Sequence, residues 1–159
     1  MVIWTNIGKG WRCMTVCFWG HKDTPTTIKQ ALEKEIERLI GCGAVCFLVG
    51  NQGGFDDMVL NCLRKIVVKY PGITYKVVLA YMPKPGDYRF APGETMLPEG
   101  MEFIHPKYAI AYRNRWMAEV SDTAVVFVAH TWGGAAKYAD IMGRKGKRVI
   151  NLFKNSLDQ

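Results

Sequence analysis

The sequence predicts an α/β fold: a Rossmann-like three-layer sandwich on a mostly parallel sheet of about five strands. Two observations predict it. Short β-branched and aromatic runs alternate with longer segments whose apolar residues recur at helical spacing, the pattern of βαβ units with right-handed crossovers. One of the short runs, "AVCFLVG", is apolar throughout, as a strand covered on both faces must be.

The elements follow in order. "TVCFW" (residues 15–19) is β-branched and aromatic and predicts the first strand. In "TPTTIKQALEKEIERLIGCG" Thr24 reads as an N-cap and Pro25 as the first helical residue. Ile28, Leu32, Ile36, Leu39 and Ile40 form one apolar stripe, and Gly41 and Gly43 stop the helix. Residues 44–50 are the second strand, and "GFDDMVLNCLRKIVVKYPG" is a second helix ended by Pro71 and Gly72. "TYKVVLAYM" is a third strand. Residues 82–107 break the pattern with five prolines and three glycines; a loop this long in a compact domain is expected to be a functional loop or lid. "YAIAYRNRWMAEVS" predicts a helix, "TAVVFVA" a fourth strand, "GGAAKYADIMGRKG" a helix and "KRVINLF" a final strand.

A chain of 159 residues, 49% apolar and 22% charged, is most simply one globular domain. No apolar run approaches the roughly 20 residues that span a bilayer. The N-terminus has neither the charged start nor the apolar segment of a signal peptide, so a cytoplasmic protein with no membrane partner is expected. Buried thiols are the expected state of the five cysteines. The pairs Cys13/Cys17 and Cys42/Cys46 straddle a strand or a helix–strand boundary with no histidine at ligand spacing, so no metal and no cofactor is expected. The formal charge of +7 permits an anionic partner without choosing among nucleotide, nucleic acid and acidic lipid. The basic stretch "GRKGKR" (residues 143–148) reads as a solvated helix end, where cations meet the negative pole of the dipole.

In an open parallel sheet, ligands bind beyond the carboxyl ends of the strands, where the strand order reverses. Three strands run into polar, glycine-rich turns there: Gly20 and His21; Gly50, Asn51, Gln52, Gly53 and Gly54; and His130, Thr131, Trp132, Gly133 and Gly134. Glycine lets backbone approach a ligand, and the helices that follow offer free N–H groups to an anion such as phosphate. Together the three turns predict a nucleotide-type site. "GNQGGF" is neither a dinucleotide fingerprint nor a Walker loop, which disfavours a dehydrogenase or a P-loop NTPase. Within the expected site His21 is a donor to phosphate or ribose. Of Asp56 and Asp57, one suits the helix dipole and the other is left for a ribose hydroxyl. Arg113 and Arg115 are two apart on a helix, so one faces the site and the other solvent. Trp132 is placed to stack on a base or to cover the sheet edge. Lys137 and Asp140 form a surface ion pair or serve phosphate and sugar respectively.

Taken together, "TVCFWGHK", "FLVGNQGGFDDMV", "YRNRWM" and "HTWGGAAKYADIMGRKGKRVINL" resemble the SLOG superfamily, and within it the short YpsA-like proteins of bacteria and their phages. The resemblance covers nearly the whole chain from Met14, and it implies a single Rossmann-like domain over residues 14–159 with residues 1–13 as an N-terminal extension. It also implies a homodimer or higher oligomer. LOG phosphoribohydrolases of this superfamily cleave the N-glycosidic bond of nucleoside monophosphates through a Gly-Gly-x-Gly-Thr-x-x-Glu motif. On this sequence Gly133 and Gly134 match that motif. Ala136 replaces its third glycine, Lys137 its threonine, and Asp140 falls at the glutamate. Arg115 is nearest to the LOG active-site arginine. A carboxylate one methylene shorter is misplaced by about 1 Å, enough to cost roughly a hundredfold in rate. Binding or sensing a nucleotide-derived molecule (of the ADP-ribose, NAD or nucleoside phosphate type) therefore ranks ahead of catalysis by Asp140 and Arg115. DprA-like members bind single-stranded DNA, but nucleic acid is not the expected partner, because the chain shows no aromatics clustered among basic residues as a stacking platform requires.

Overall fold

The computed structural model describes residues 13–155; residues 1–12 and 156–159, and with them nearly all of the expected extension, lie outside the described residues. Six strands form one sheet: β1 (Met14–Gly20), β2 (Ala44–Val49), β3 (Thr74–Val78), β4 (Thr95–Met96), β5 (Thr123–Phe127) and β6 (Arg148–Asn151). Four longer helices connect them: α1 (Lys29–Gly41), α2 (Gly54–Lys69), α3 (Ala109–Val120) and α4 (Gly134–Arg144). A short α5 (Leu152–Asn155) follows β6. The strand order is β4-β3-β2-β1-β5-β6, and every pairing is parallel.

Side-chain alternation along the strands builds the three layers. Val16 and Phe18 of β1 and Phe47 and Val49 of β2 point to one face, where they meet Leu32, Ile36 and Leu39 of α1 and Phe55, Val59 and Leu63 of α2. Cys17 and Trp19 of β1 and Leu48 of β2 point to the other, where they meet Met117 of α3 and Tyr138 and Met142 of α4. Burial on both faces is why these strands read as continuous apolar runs rather than alternating ones.

Four sequence expectations change. The sheet has a sixth strand, because residues 82–107 are not a bare loop: β4 pairs with β3 at Val77↔Thr95 and Val78↔Met96, and 3-10 turns form over Met101–Phe103 and Pro106–Tyr108. Two residues of strand carry no periodicity from which to be read. Thr24 caps no helix. Its hydroxyl donates to the His21 carbonyl at 2.7 Å, and a 3-10 turn over Thr26–Ile28 precedes α1. Cys13 and Cys42 are exposed, whereas Cys17, Cys46 and Cys62 are buried free thiols. The "GRKGKR" stretch is paired rather than simply solvated. Arg144 Nε meets Asp140 at 2.9 Å, Lys145 meets Glu119 at 3.7 Å, and Lys147 donates to the Ala118 and Glu119 carbonyls at the end of α3.

Candidate functional site

The chain winds outward from β1 through β2 and β3 to β4, then returns to place β5 on the other side of β1. The crevice between the carboxyl ends of β1 and β5 is therefore the topological switch point, where a doubly wound sheet opens to a ligand. Because all strands are parallel, the turns after β1, β2 and β5 leave on this one edge.

The turn after β5 is held by an anchor that no motif announced. Asn151 at the end of β6 accepts from the Val128 N–H at 3.1 Å and donates to the Val128 carbonyl at 2.9 Å. The next N–H, of Ala129, donates to His21 Nε2 at 3.0 Å. A backbone N–H can only donate, so Nε2 is unprotonated and the His21 ring is neutral. Burial, then the neighbouring His130, pushes its pKa below 6.5. His21 and His130 stack with centroids 3.8 Å apart and planes 15° apart; His130 and Trp132 stack at 3.8 Å and 14°. His130 Nδ1 lies 2.9 Å from the Trp132 carbonyl, which fixes the proton on that nitrogen. The result is a column of three rings. Its inner end meets the edge of Phe127 at 6.3 Å, and its outer end is a Trp132 side chain 67% exposed.

Two glycine pairs start the helices on this edge with one backbone geometry. Gly53 before α2 has φ 101° and ψ −179°; Gly133 before α4 has φ 91° and ψ 173°. This region is essentially restricted to glycine, which explains "GG" at both places. Their surroundings differ. The Gly54 N–H donates to the Lys22 carbonyl at 3.1 Å, and a Cβ on Gly53 would come within 2.8 Å of Lys22 Cγ, so the loop after β1 closes the start of α2. At α4, among the described residues, nothing accepts from the N–H groups of Gly134, Ala135 and Ala136, and no side chain caps the helix. The first amide is thus taken at α2 and free at α4, where all three open donors stand at the positive dipole end.

A polar cluster lies beneath Gly50. Arg113 is only 3% exposed: its Nε donates to Asn114 Oδ1 at 3.0 Å, and its Nη1 to Asn51 Oδ1 and the Val78 carbonyl, each at 3.3 Å. Trp19 Nε1 donates to the same Asn114 oxygen at 3.3 Å. Asp56, 7% exposed, accepts from the Gln52 N–H at 2.8 Å. A Cβ on Gly50 would lie 2.7 Å from Asp56 Oδ2 and 2.9 Å from Arg113 Nη1, so glycine is what lets both charges sit under the strand end. Burial pushes the Asp56 carboxyl up to about 6, although the Gln52 N–H and Arg113 pull the other way. A cleft of about 300 Å³ beside Asn51 continues the edge toward Lys84 and Arg89.

The remaining expected residues are placed as follows. Arg113 is the inward arginine of the pair and Arg115 is exposed. Asp140 lies on the outer face of α4 in its ion pair with Arg144, not with Lys137. Lys137 is exposed, its Nζ 5.6 Å from the Tyr138 ring centroid. Gly20 serves packing: a Cβ there would meet Phe55 Cγ at 2.2 Å. Asp57 is exposed at the start of α2. Asn114 and Asn151, absent from the sequence reading, hold the two clusters in place; a lone asparagine bonded across the fold leaves no local signal. Among the described residues, no group of three His, Cys, Asp or Glu could hold a metal, and no helix is long and apolar enough to cross a membrane.

Exposed aromatic and basic residues do occur on the surface. Tyr81, Tyr88, Phe103, Tyr108 and Trp132 are all exposed, and Lys84, Arg89, Lys107 and Lys137 stand among them in sequence. Two of these rings, Tyr88 and Phe103, belong to the segment 82–107.

No family model and no curated protein matches the chain. Its fold is a Rossmann-type α/β domain, in agreement at the level of fold with the SLOG resemblance. One solved structure that shares it is DNA processing protein A (DprA) from Streptococcus pneumoniae, with a TM-score of 0.60 and 17% identity over 86% of this chain and 49% of that one. The chain spans about half the length of that protein.

Proposed function

We propose that this protein binds a nucleotide-derived small molecule, of the nucleoside phosphate or ADP-ribose type, at the switch point between β1 and β5. The observation that carries the reading is the glycine-started α4, whose first amides open on this crevice without a protein acceptor. There a phosphate meets oriented donors and the positive end of a dipole. Lys137 and the exposed edge of the ring column supply a cation and an apolar surface beside it. The buried Asp56 and Arg113 suit hydroxyl and carbonyl groups reaching toward Gly50. Ligand binding ranks ahead of LOG-like hydrolysis here, because Asp140, at the position of the LOG glutamate, is held in a surface ion pair with Arg144. Calorimetry with AMP, ADP-ribose and NAD tests the reading. Saturable binding is expected, and no heat from any of them at 1 mM, where the affinity is only about −4 kcal/mol, would reject it.

A second reading, single-stranded DNA binding, gains from the exposed aromatic and basic residues of the segment 82–107 and from the fold shared with a DNA processing protein. It predicts binding of a thymidylate 20-mer that weakens steeply between 50 and 200 mM salt, as counterion release requires. Salt-insensitive or absent binding rejects it.

A further inference from the structure

Resting on the nucleotide-site reading above, we propose that the Trp132 indole is the platform on which the ligand's planar base stacks, so that the site selects base-bearing ligands over simple sugar phosphates. Three features of the ring column carry this. It is closed at one end and open at the other: His21 abuts Phe127, while Trp132 faces solvent at 67% exposure. A planar ring added to Trp132 would continue a stack already running at 3.8 Å spacing.

The column is also held in place by the protein's own hydrogen bonds. His21 is fixed by the Ala129 N–H and His130 by the Trp132 carbonyl. The loop that carries His130 and Trp132 is clamped at Val128 by both ends of the Asn151 amide. A surface ordered in advance loses little conformational freedom on binding. Finally, the indole stands two residues before Gly134, the first residue of α4. Two residues span at most about 7 Å of chain, the scale of a sugar lying between a base and a phosphate. Among the described residues no further ring stacks on Trp132, so its apolar area would otherwise be left in water.

Titration of AMP and ribose 5-phosphate against the wild type, Trp132→Ala and Trp132→Phe tests the proposal, with circular dichroism to verify folding. The wild type is expected to bind AMP at least tenfold more tightly than ribose 5-phosphate. Trp132→Ala should lose that preference while keeping its ribose 5-phosphate affinity, and Trp132→Phe should restore part of it. If both ligands bind the wild type equally, or if Trp132→Ala weakens both alike, the stacking role is overturned and the phosphate site stands. If neither binds, the nucleotide reading falls, and the stacking role with it.

Discussion

Asp56 is a carboxylate that the fold holds at a cost. Its pKa is about 6 where 3.8 is usual, so the folded protein binds this proton more tightly than the unfolded chain does. A raised pKa stabilises below the unfolded value and penalises as pH rises through the folded one. Asp56→Asn keeps an acceptor for the Gln52 N–H, and it is expected to raise stability at pH 8 by up to about 3 kcal/mol, with the gain vanishing near pH 4. Urea unfolding of the two proteins at both pH values measures it. A less stable variant at pH 8 would mean that the charge is needed as a partner for Arg113. A costly buried charge at a sheet edge is what a binding site retains and a purely structural position sheds. His21 carries the opposite sign. Its depressed pKa means that the neutral ring supports the fold above 6.5 and that this support is lost as pH falls through the lower, folded value. Acidification should therefore unstack the column, read as a change in Trp132 fluorescence that is absent from Trp132→Phe. His21→Ala should weaken AMP binding and leave the far-ultraviolet dichroism unchanged.

At the scale of elements, glycine does three different things on one edge. Gly53 and Gly133 supply a backbone region closed to other residues, Gly50 makes room for two charges, and Gly20 lets α2 pack on β1 through Phe55. Gly20→Ala is expected to destabilise by about 2 kcal/mol, the range of overpacking, and Phe55→Leu in the same chain should recover part of it. Additive losses in thermal melts of the single and double variants would show that the contact is not the cause. Sequence reading found these turns and their common edge, since "GG" before an apolar helix is a local signal. It could not tell the open start of α4 from that of α2, where Lys22 takes the first amide, because Lys22 lies more than thirty positions from Gly54 along the chain.

Across the whole molecule, one buried acid helps to tie down the segment 82–107 beside the β3–β4 pairing. Arg64 Nε and Nη2 each lie 2.7 Å from a Glu94 oxygen, Tyr75 donates at 2.6 Å and the Ala91 N–H at 2.8 Å. The paired Arg64 and these donors hold the Glu94 carboxyl down at about 2, so its contribution is full above 4.5 and lost as pH falls toward 2. Glu94→Gln is expected to cost about 2 kcal/mol at pH 7 and to flatten acid unfolding between pH 4.5 and 2. Chemical unfolding across that range decides it, and an unchanged acid limb would place the anchor elsewhere.

By itself the sequence determined the α/β class, five of the six strands, all four longer helices and the edge on which the glycine turns gather. Those features rest on local propensity, on periodicity and on the rule that parallel strands need crossovers. Only the tertiary structure decided that Arg113 and not Arg115 is buried, that β4 exists, and that His21, His130 and Trp132 form one column. The ring column depends on β1 lying beside β5 and β4 on its pairing with β3, and contacts between residues so far apart in the chain leave no pattern in the local order of side chains.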